Sequence, residues 1–217
     1  MSAAPTQPLD KDTLIGACTR LKLVLNLPGL QREVAELPAE YWGTRGGRVG
    51  VHSAAEAIFL RGYAPADGET PIEDRQTLER MPRIRALIHT LIPAPPKRCL
   101  LARLNPGATI APHIDRADYF SHTIRIHVPI CTDPAVLMVC RGRAFHMREG
   151  EVWALNNSNQ HAVLHDGTQA RTHLICDFLP TPELEALILA GDRSLDVDVP
   201  DLAVRLDRLA LRSSAAR

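Results

Sequence analysis

The chain has 217 residues, of which 45% are hydrophobic and 23% are charged, a composition typical of a globular domain with a sizeable core. Its 25 Lys and Arg side chains balance its 25 Asp and Glu side chains, which argues against a nucleic-acid-binding protein and a polybasic membrane binder. Only Lys11, Lys22 and Lys97 are lysines, and the other 22 cations are arginines. We attribute most of this bias to genome composition, and a part to arginines that hold carboxylates in a fixed fork.

The N-terminal residues and the cysteines indicate a cytoplasmic protein. Residues 1–12 lack a basic stretch followed by an apolar run, so they do not resemble a secretory signal. No uncharged apolar stretch approaches the length of about 18 residues that a membrane span needs, so none is predicted. The cysteines are odd in number and form no CxxC pair, which predicts a reducing compartment with neither disulfides nor a zinc finger.

The first 96 residues combine helical and irregular segments. Residues 1–9 contain prolines and little to pack, so we predict a disordered leader. Residues 10–25 place Leu and Cys side chains at helical spacing and predict a helix. Residues 28–50 are rich in Gly, Pro and Arg and predict a loop with one turn of helix. A strand is predicted over 57–60 and a proline-interrupted helix over 74–92.

From about residue 98 to about 180 the chain consists of short runs rich in Val, Ile, Leu and aromatic residues, separated by turn signals. This pattern predicts an antiparallel sandwich or barrel, and the Asp166-Gly167 pair between two runs predicts a hairpin. Helices are predicted over 181–212, and the leucine stripe at 200–212 either covers the sheet or pairs with another copy of the chain. We therefore expect one α+β domain over 10–217, with a mainly β core flanked by helices.

Three side chains in the predicted β core have the identities of a metal site. His113 and Asp115 point the same way on an extended chain, and His161 begins a later strand. Two imidazoles and one carboxylate on one face of a metal are typical of non-haem Fe(II) oxygenases. A surface hydrogen-bonded pair is the alternative interpretation of the His-x-Asp motif taken by itself.

Arginines on neighbouring runs add to this hypothesis. Arg171 follows His161 by ten residues across the predicted hairpin, and an arginine inside a small barrel requires an anion because an unpaired buried charge is unfavourable. A dicarboxylate co-substrate that chelates a metal at its other end satisfies that requirement. Arg125 and His127 share one strand face, opposite the apolar residues of the same run, although an edge-strand arginine that reaches solvent is the alternative.

The segment from Asn105 to Phe178 resembles the aspartyl/asparaginyl β-hydroxylase family of Fe(II)/2-oxoglutarate-dependent oxygenases. The resemblance rests on NPGATIAPHID, TIRIHVPI, MREGEVWALNNSNQHAVLHDG and RTHLICDF. It implies a double-stranded β-helix, or cupin-like jelly roll, and an enzyme that uses Fe(II), 2-oxoglutarate and O₂ and releases succinate and CO₂. It also implies roles for two sets of residues: iron ligands at His113, Asp115 and His161, and 2-oxoglutarate contacts at Arg125, His127 and Arg171.

One departure from the family bears on the substrate. The animal aspartyl hydroxylases lack the metal carboxylate, whereas this sequence has Asp115, and it lacks their transmembrane and helical-repeat regions. The resemblance therefore suggests the short bacterial members, with a free amino acid, a carrier-bound amino acid or a peptide as substrate. Four residues are candidate substrate contacts: Arg61, Arg116, Trp153 and Asn156.

Two other classes of function remain open from the residues alone. The first is a cupin-type metal enzyme that does not use 2-oxoglutarate, because a fold does not determine a function. The second is a non-catalytic metal-binding module that keeps the barrel. The complete set of three ligands argues against the second class, and the arginine at Arg171 argues against the first. We assign no role to His52 and His89, which lie outside the β core and are expected to face solvent.

Overall fold

The computed structural model describes residues 7–43, 51–66 and 68–215. Within these residues eleven strands form two antiparallel sheets that face each other, as expected of a jelly roll. The strands are β1 Cys18–Leu21, β2 Ala55–Arg61, β3 Pro96–Leu104, β4 Ile110–His113, β5 Ile124–Cys131, β6 Val136–Cys140, β7 Arg143–Phe145, β8 Val152–Leu155, β9 His161–His165, β10 Arg171–Phe178 and β11 Asp196–Val197.

One sheet has six strands in the order β1-β8-β5-β10-β3-β2, and the other has five in the order β11-β7-β6-β9-β4. The helices are α1 Lys11–Leu14, α2 Leu27–Ala35, α3 Gln76–Glu79, α4 Pro82–Ala86, α5 Asp118–Ser121, α6 Pro182–Leu189 and α7 Leu202–Ala215. A 3₁₀ turn at Ala39–Tyr41 and a π-helical turn at Leu87–Leu91 complete the helical segments.

The six-stranded sheet has an apolar outer face, and its strand β5 presents polar residues on the inner face. Ile124, Ile126 and Val128 of β5 lie in the main hydrophobic core together with residues of α2, α3, α4 and α6. Arg125 and His127 alternate with them and face the second sheet, as the two-residue period of a strand requires. The predicted division of this run into two faces is confirmed, and it places charged groups inside the barrel.

Apolar side chains fill part of the space between the two sheets. Phe145, Trp153 and Met138 belong to a second buried cluster there, and the Phe145 and Trp153 rings meet edge to face with centroids 6.1 Å apart. The outer face of the five-stranded sheet is covered by α7, whose Leu206 and Leu209 pack against small buried side chains of that sheet. Of the two roles predicted for the leucine stripe, the structure shows the covering one.

The predicted helix over 10–25 is wrong beyond Leu14. After α1 the chain turns at Gly16, whose φ of 74° is a conformation that glycine adopts readily. Residues 18–21 then form β1, which pairs with β8 at the edge of the six-stranded sheet. The available sheet edge therefore overrides the helical spacing of the side chains.

The predicted hairpin at Asp166-Gly167 is also wrong, because β9 and β10 do not pair. β9 pairs with β4 and β6, whereas β10 pairs with β3 and β5 in the other sheet. The connection crosses between sheets and is held by Asp133, which accepts hydrogen bonds from the backbone N–H groups of Thr168 and Gln169. A Cβ on Gly167 would meet Asp133 Cγ at 2.1 Å, so this glycine permits a close approach.

The remaining predicted elements are confirmed with adjusted bounds. The turn of helix expected within 28–50 is α2, and the strand expected over 57–60 is β2. Residues 44–50 of that predicted loop, and residues 1–6 of the predicted leader, lie outside the described residues. Leu9 packs against the main core and its N–H donates to the Ser121 carbonyl. None of the helices among the described residues is long and apolar enough to cross a membrane.

Candidate active site

The three predicted metal ligands meet at one end of the barrel. His113 ends β4 and His161 begins β9, and the two residues are direct partners in the antiparallel register. Asp115 lies two residues beyond β4, where its N–H donates to the Asn157 carbonyl at 3.1 Å. One ligand atom from each of the three side chains lies within 4.8 Å of the other two. The strand pairing therefore assembles the cluster that the sequence suggested.

Backbone carbonyls orient both imidazoles of the cluster. The Nδ1 atom of His113 lies 2.8 Å from the Ala111 carbonyl, and the Nδ1 atom of His161 lies 2.9 Å from the Asn159 carbonyl. A carbonyl only accepts, so each Nδ1 carries the proton and each Nε2 carries the lone pair that binds a metal. Burial, with the nearby charge of His113, lowers the pKa of His161 to about 3, which keeps that ring in its neutral, ligating form.

Two donors hold the carboxylate of Asp115. Its Oδ2 accepts from Arg125 Nη1 at 2.6 Å and from Asn157 Nδ2 at 3.0 Å, while Oδ1 lies 3.8 Å from His113 Nε2. Burial raises the pKa of this carboxyl, but Arg125, His161 and the Asn157 hydrogen bond lower it further, so the net pKa is below the ordinary range. Asp115 is therefore ionised, with one oxygen restrained and the other directed to the histidines.

Arg125 is itself held by a second carboxylate. Its Nε and Nη2 donate to the two oxygens of Asp177 at 2.8 and 3.0 Å. With Asp115 this uses three of the five guanidinium N–H donors and leaves two, and Arg125 also contributes to the wall of the adjacent cavity. The predicted contact between Arg125 and the co-substrate stays a prediction, because the structure places this guanidinium first of all against Asp115 and Asp177.

Arg171, His173 and His127 form a buried polar row inside the barrel. Arg171 Nη2 donates to His173 Nδ1 at 2.8 Å, and His173 Nδ1 lies 3.4 Å from His127 Nδ1. Within the described residues Arg171 has no carboxylate within 4.0 Å, and its Nε has no hydrogen-bond partner. Burial lowers the pKa of Arg171 to about 9, so the guanidinium remains charged at neutral pH and lacks a counter-ion.

His127 lies close enough to both this row and the three candidate metal ligands to interact electrostatically with each. Burial, followed by the charges of Arg171, Arg125 and His161, lowers the pKa of His127 well below its ordinary value. The ring is therefore neutral and lies within electrostatic range of both groups. Its Nε2 is buried and has no hydrogen-bond partner among the described residues, which is an unfavourable state unless a ligand supplies one.

A cavity of about 590 Å³ opens beside the cluster. Asp115, Arg116 and Arg125 line it, together with small apolar side chains and Arg98. Arg98 is only 7% exposed and its Nε has no hydrogen-bond partner. No carboxylate lies within 4.0 Å of this guanidinium among the described residues, and its flat face lies near the Phe59 ring, 5.5 Å from the centroid. The cavity therefore presents a second unbalanced cation.

The structure brings one of the four predicted substrate contacts to this cavity and places three elsewhere. Arg116 lines the cavity and is exposed. Arg61 is paired with Asp74 at 2.6 Å on the outside of the sheet. Trp153 is 1% exposed, and Asn156 donates to the Gly16 carbonyl at 2.9 Å. Within the described residues these three side chains contact other parts of the chain and do not line the cavity.

Sequence reasoning missed four residues of the site. Asp177 shares a strand face with Arg171, so the two-residue period was a usable signal for it. Arg98 lies on β3, where no inward residue had been recognised. The expectation that His52 faces solvent is wrong, since its ring meets the His113 ring edge to face at 4.7 Å. Lys11, which donates to Asn157, carried no signal beyond the scarcity of lysine.

Comparisons with known proteins agree with this geometry. The sequence model of the aspartyl/asparaginyl beta-hydroxylase family matches residues 57–180. A prolyl hydroxylase from Trichoplax adhaerens, solved with a hypoxia inducible factor oxygen degradation domain peptide, is similar in fold with a TM-score of 0.50 and 11% identity. The likeness covers 76% of this chain and 82% of that chain.

Two further solved structures are similar to this chain with TM-scores below 0.50. A 2OG-Fe(II) oxygenase family oxidoreductase from Burkholderia pseudomallei has a TM-score of 0.47 and 15% identity, over 70% of this chain and 77% of that chain. A prolyl-4-hydroxylase from Pseudomonas putida has a TM-score of 0.45 and 16% identity, over 79% of this chain and 96% of that chain.

Proposed function

Because the chain belongs to the aspartyl/asparaginyl β-hydroxylase family and is a 2-oxoglutarate-dependent hydroxylase, we propose that it hydroxylates an amino acid held by its carboxylate in the cavity beside His113, Asp115 and His161. The observation that carries the proposal is the pairing of this cluster with Arg171, a buried cation without a counter-ion in the described residues. A dicarboxylate that reaches from the cluster to Arg171 balances the charge and accounts for the unpartnered donor.

The residues of the cluster fit Fe(II). His113 and His161 present Nε2 lone pairs, and Asp115 is ionised with Oδ1 directed toward them. With Fe(II) bound, these residues would supply two imidazole ligands and one carboxylate ligand, the set typical of non-haem Fe(II) oxygenases. When bound, Fe(II) and 2-oxoglutarate supply the oxidising chemistry with O₂, in which the substrate C–H becomes C–OH and succinate and CO₂ are released.

The chain's own residues provide position and charge. Arg171 clamps the distal carboxylate of 2-oxoglutarate, and His173 holds Arg171 through the Nη2 hydrogen bond. His127 is neutral and buried, and in the tautomer that carries its proton on Nε2 this unpartnered atom donates to the same ligand. Arg125 and Asn157 keep Asp115 in place. A co-substrate fixed at both ends reacts from one orientation, which is the usual benefit of such clamps.

The cavity supports a small amino acid as the substrate. Arg98 is a buried cation that faces an open volume, and a substrate α-carboxylate supplies the anion that it lacks. The other walls are short apolar side chains that exclude water and suit an aliphatic substrate: Ala55, Ala57, Leu100, Ala102 and Ile175. A free amino acid is favoured over an internal peptide residue, because only the former carries this carboxylate. We also assign the protein to the cytoplasm, supported by its five free cysteines.

A turnover screen tests the proposal. The purified protein with Fe(II), 2-oxoglutarate and ascorbate is presented with the free amino acids and with matched N-acetyl amides, and products are identified by mass spectrometry. We expect a product heavier by one oxygen from a free amino acid only, and none from His113→Ala or Asp115→Ala. The cupin alternative predicts that no succinate forms with any substrate, and such a result would overturn the assignment.

A further inference from the structure

Lys11 is buried although it lies in the N-terminal segment. It begins α1, is 3% exposed, and donates from Nζ to Asn157 Oδ1 at 2.7 Å and to the Phe120 carbonyl at 2.6 Å. No carboxylate lies within 4.0 Å of its ammonium group among the described residues. Burial, with the charge of Arg125, lowers the pKa of Lys11 to about 8, so the side chain is charged at neutral pH. Burying a charged group is unfavourable, and the two hydrogen-bond acceptors of Lys11 indicate which parts of the site it holds in place.

The first acceptor determines how Asn157 faces Asp115. An ammonium group only donates, so the oxygen of the Asn157 amide faces Lys11 and the nitrogen faces the other way. That nitrogen donates to Asp115 Oδ2 at 3.0 Å. Without Lys11 the amide is no longer held in this orientation, and its oxygen can turn toward the carboxylate and repel it. Lys11 therefore acts on Asp115 through one intervening side chain.

The restraint on Oδ2 determines which oxygen of Asp115 remains for a metal. Oδ2 accepts from both Asn157 and Arg125, whereas Oδ1 is the oxygen directed toward His113 Nε2. Two donors on one oxygen favour binding of the ion through the other oxygen alone. This arrangement keeps coordination positions open that a bidentate carboxylate would occupy.

The second acceptor belongs to the cavity wall. Phe120 lies on α5, in the segment 116–122 between β4 and β5, and its ring both lines the cavity and lies under Arg125, 4.9 Å from the guanidinium carbon. The neighbouring Ser121 carbonyl accepts from the Leu9 N–H at 2.9 Å. The N-terminal segment thus holds the cavity wall by two backbone carbonyls.

We propose that Lys11 is a positioning residue of the active site, which sets Asp115 through Asn157 and fixes the cavity segment 116–122 through Phe120. The inference rests on the proposed function, and it assigns part of the active site to a residue outside 57–180, the range matched to the family. Its consequence is that the N-terminal segment is required for full iron affinity.

The test is an anaerobic Fe(II) titration of the full chain and of Lys11→Met. Loss of an interaction that orients a metal ligand weakens metal binding by about 10–100-fold, and we expect a change of that size in the dissociation constant. Lys22→Met, a change of the same type at an exposed lysine, is the matched control and is expected to bind as the wild type does. If the wild type binds no Fe(II), both the proposed function and this inference fail. If the wild type binds Fe(II) and Lys11→Met binds it equally well, the proposed function stands and only this inference fails.

A double-mutant cycle separates positioning from a general effect on folding. If Lys11 acts through Asn157, adding Lys11→Met to Asn157→Ala weakens Fe(II) binding no further, since the two residues belong to one pathway. Independent, additive losses would show a merely structural role and overturn the inference. Lys11→Leu also removes the donor to Asn157, and it replaces Lys11→Met in the same cycle if that variant does not fold. Lys11→Gln keeps a donor for Asn157 and is expected to recover part of the lost Fe(II) affinity.

Hydrogen exchange tests the contact with the cavity wall. We expect faster amide exchange over 116–122 in Lys11→Met, because the Phe120 carbonyl loses its buried donor. Asn157→Ala leaves that donor in place and is expected to leave exchange in this segment unchanged. Equal exchange in the wild type and Lys11→Met would remove the second part of the inference.

Discussion

Charge balance inside the barrel explains the behaviour of its individual residues. Arg125 forms ion pairs with both Asp115 and Asp177, whereas Arg98 and Arg171 have no carboxylate within 4.0 Å among the described residues. Buried cations in this state are expensive, and the two lie in places where a ligand with negative charge is expected. Each of them therefore gives a prediction about a different ligand.

Replacing Arg171 with Ala is expected to weaken 2-oxoglutarate binding by about 2–5 kcal/mol, because a desolvated charge pair with the distal carboxylate is lost. At about 1.4 kcal/mol per factor of ten, the smallest of these losses raises the KM for 2-oxoglutarate by roughly 30-fold. Steady-state kinetics with varied 2-oxoglutarate measure it. Arg103→Ala is the matched control, since Arg103 lies opposite Thr172 in the register but pairs with Glu56 at the surface. An unchanged KM in Arg171→Ala would exclude the assigned role.

Replacing Arg98 with Ala is expected to raise the KM for the amino-acid substrate and to leave the KM for 2-oxoglutarate unchanged. A hydrogen bond to a charged group contributes about 1.5–3 kcal/mol, which corresponds to a roughly 10–150-fold change. Arg116→Ala is expected to have a smaller effect, because Arg116 is exposed and its charge is screened by water. Equal effects of Arg98→Ala on both KM values would place Arg98 at the co-substrate instead.

At the scale of elements, local patterns predicted strands well and their partners poorly. The alternation in β5 was sufficient to identify its inward residues, because side chains of a strand alternate regardless of which strand lies beside it. The sequence placed Arg171 in the barrel through the predicted hairpin, which does not form, although Arg171 is buried. The Asp166-Gly167 turn failed as a hairpin signal, because the glycine is needed for contact with Asp133 on another connection. Similarly, residues 18–21 joined a sheet edge that no local pattern reveals.

The crossover from β9 to β10 gives a prediction about stability and pH. Asp133 accepts backbone N–H groups from Ala135, Thr168 and Gln169, and these hydrogen bonds lower its pKa. A carboxyl with a lowered folded-state pKa stabilises the fold above its unfolded pKa of about 3.9, and this contribution is lost as the pH falls through the folded-state value. We expect Asp133→Ala to lower the urea midpoint at pH 7.

The difference between wild type and Asp133→Ala is expected to shrink as the pH falls below about 4, where Asp133 of the unfolded chain binds a proton while the folded-state carboxylate is protonated only at lower pH. Urea unfolding at several pH values measures this trend. Asp118→Ala serves as the control, because the Asp118 side chain is 89% exposed and contacts only its own short helix. A pH-independent difference would mean that Asp133 acts through packing and not through its charge.

At the scale of the whole molecule, the barrel core is separate from the site. The three candidate ligands and Arg171 lie beside the two hydrophobic clusters that hold the sheets and helices together, and we expect the chain to fold without a metal. Ligand binding to the folded state alone stabilises a protein by linkage, by about 2.7 kcal/mol at a ligand concentration one hundred times the dissociation constant. The melting temperature is therefore expected to rise when the site is occupied.

We expect anaerobic addition of Fe(II) and 2-oxoglutarate to raise the melting temperature of the wild type and not that of His113→Ala. For a protein of about this size each kcal/mol shifts the melting temperature by roughly 2–4 °C. Differential scanning fluorimetry under nitrogen makes the measurement, and succinate in place of 2-oxoglutarate indicates whether the dicarboxylate or the iron is responsible. An equal shift in His113→Ala would contradict the ligand assignment.

The sequence by itself predicted an antiparallel β core, the candidate ligands His113, Asp115 and His161, and the inward face that carries Arg125 and His127. Periodicity and residue chemistry are local properties, and the resemblance to a family supplied the rest. Only the tertiary structure decided which charges pair. It assigned Arg125 to Asp115 and Asp177, left Arg98 and Arg171 without a carboxylate among the described residues, and brought Lys11 beneath the site. Such pairings join residues up to 146 positions apart in the chain, so they depend on how the sheets stack and have no local signal.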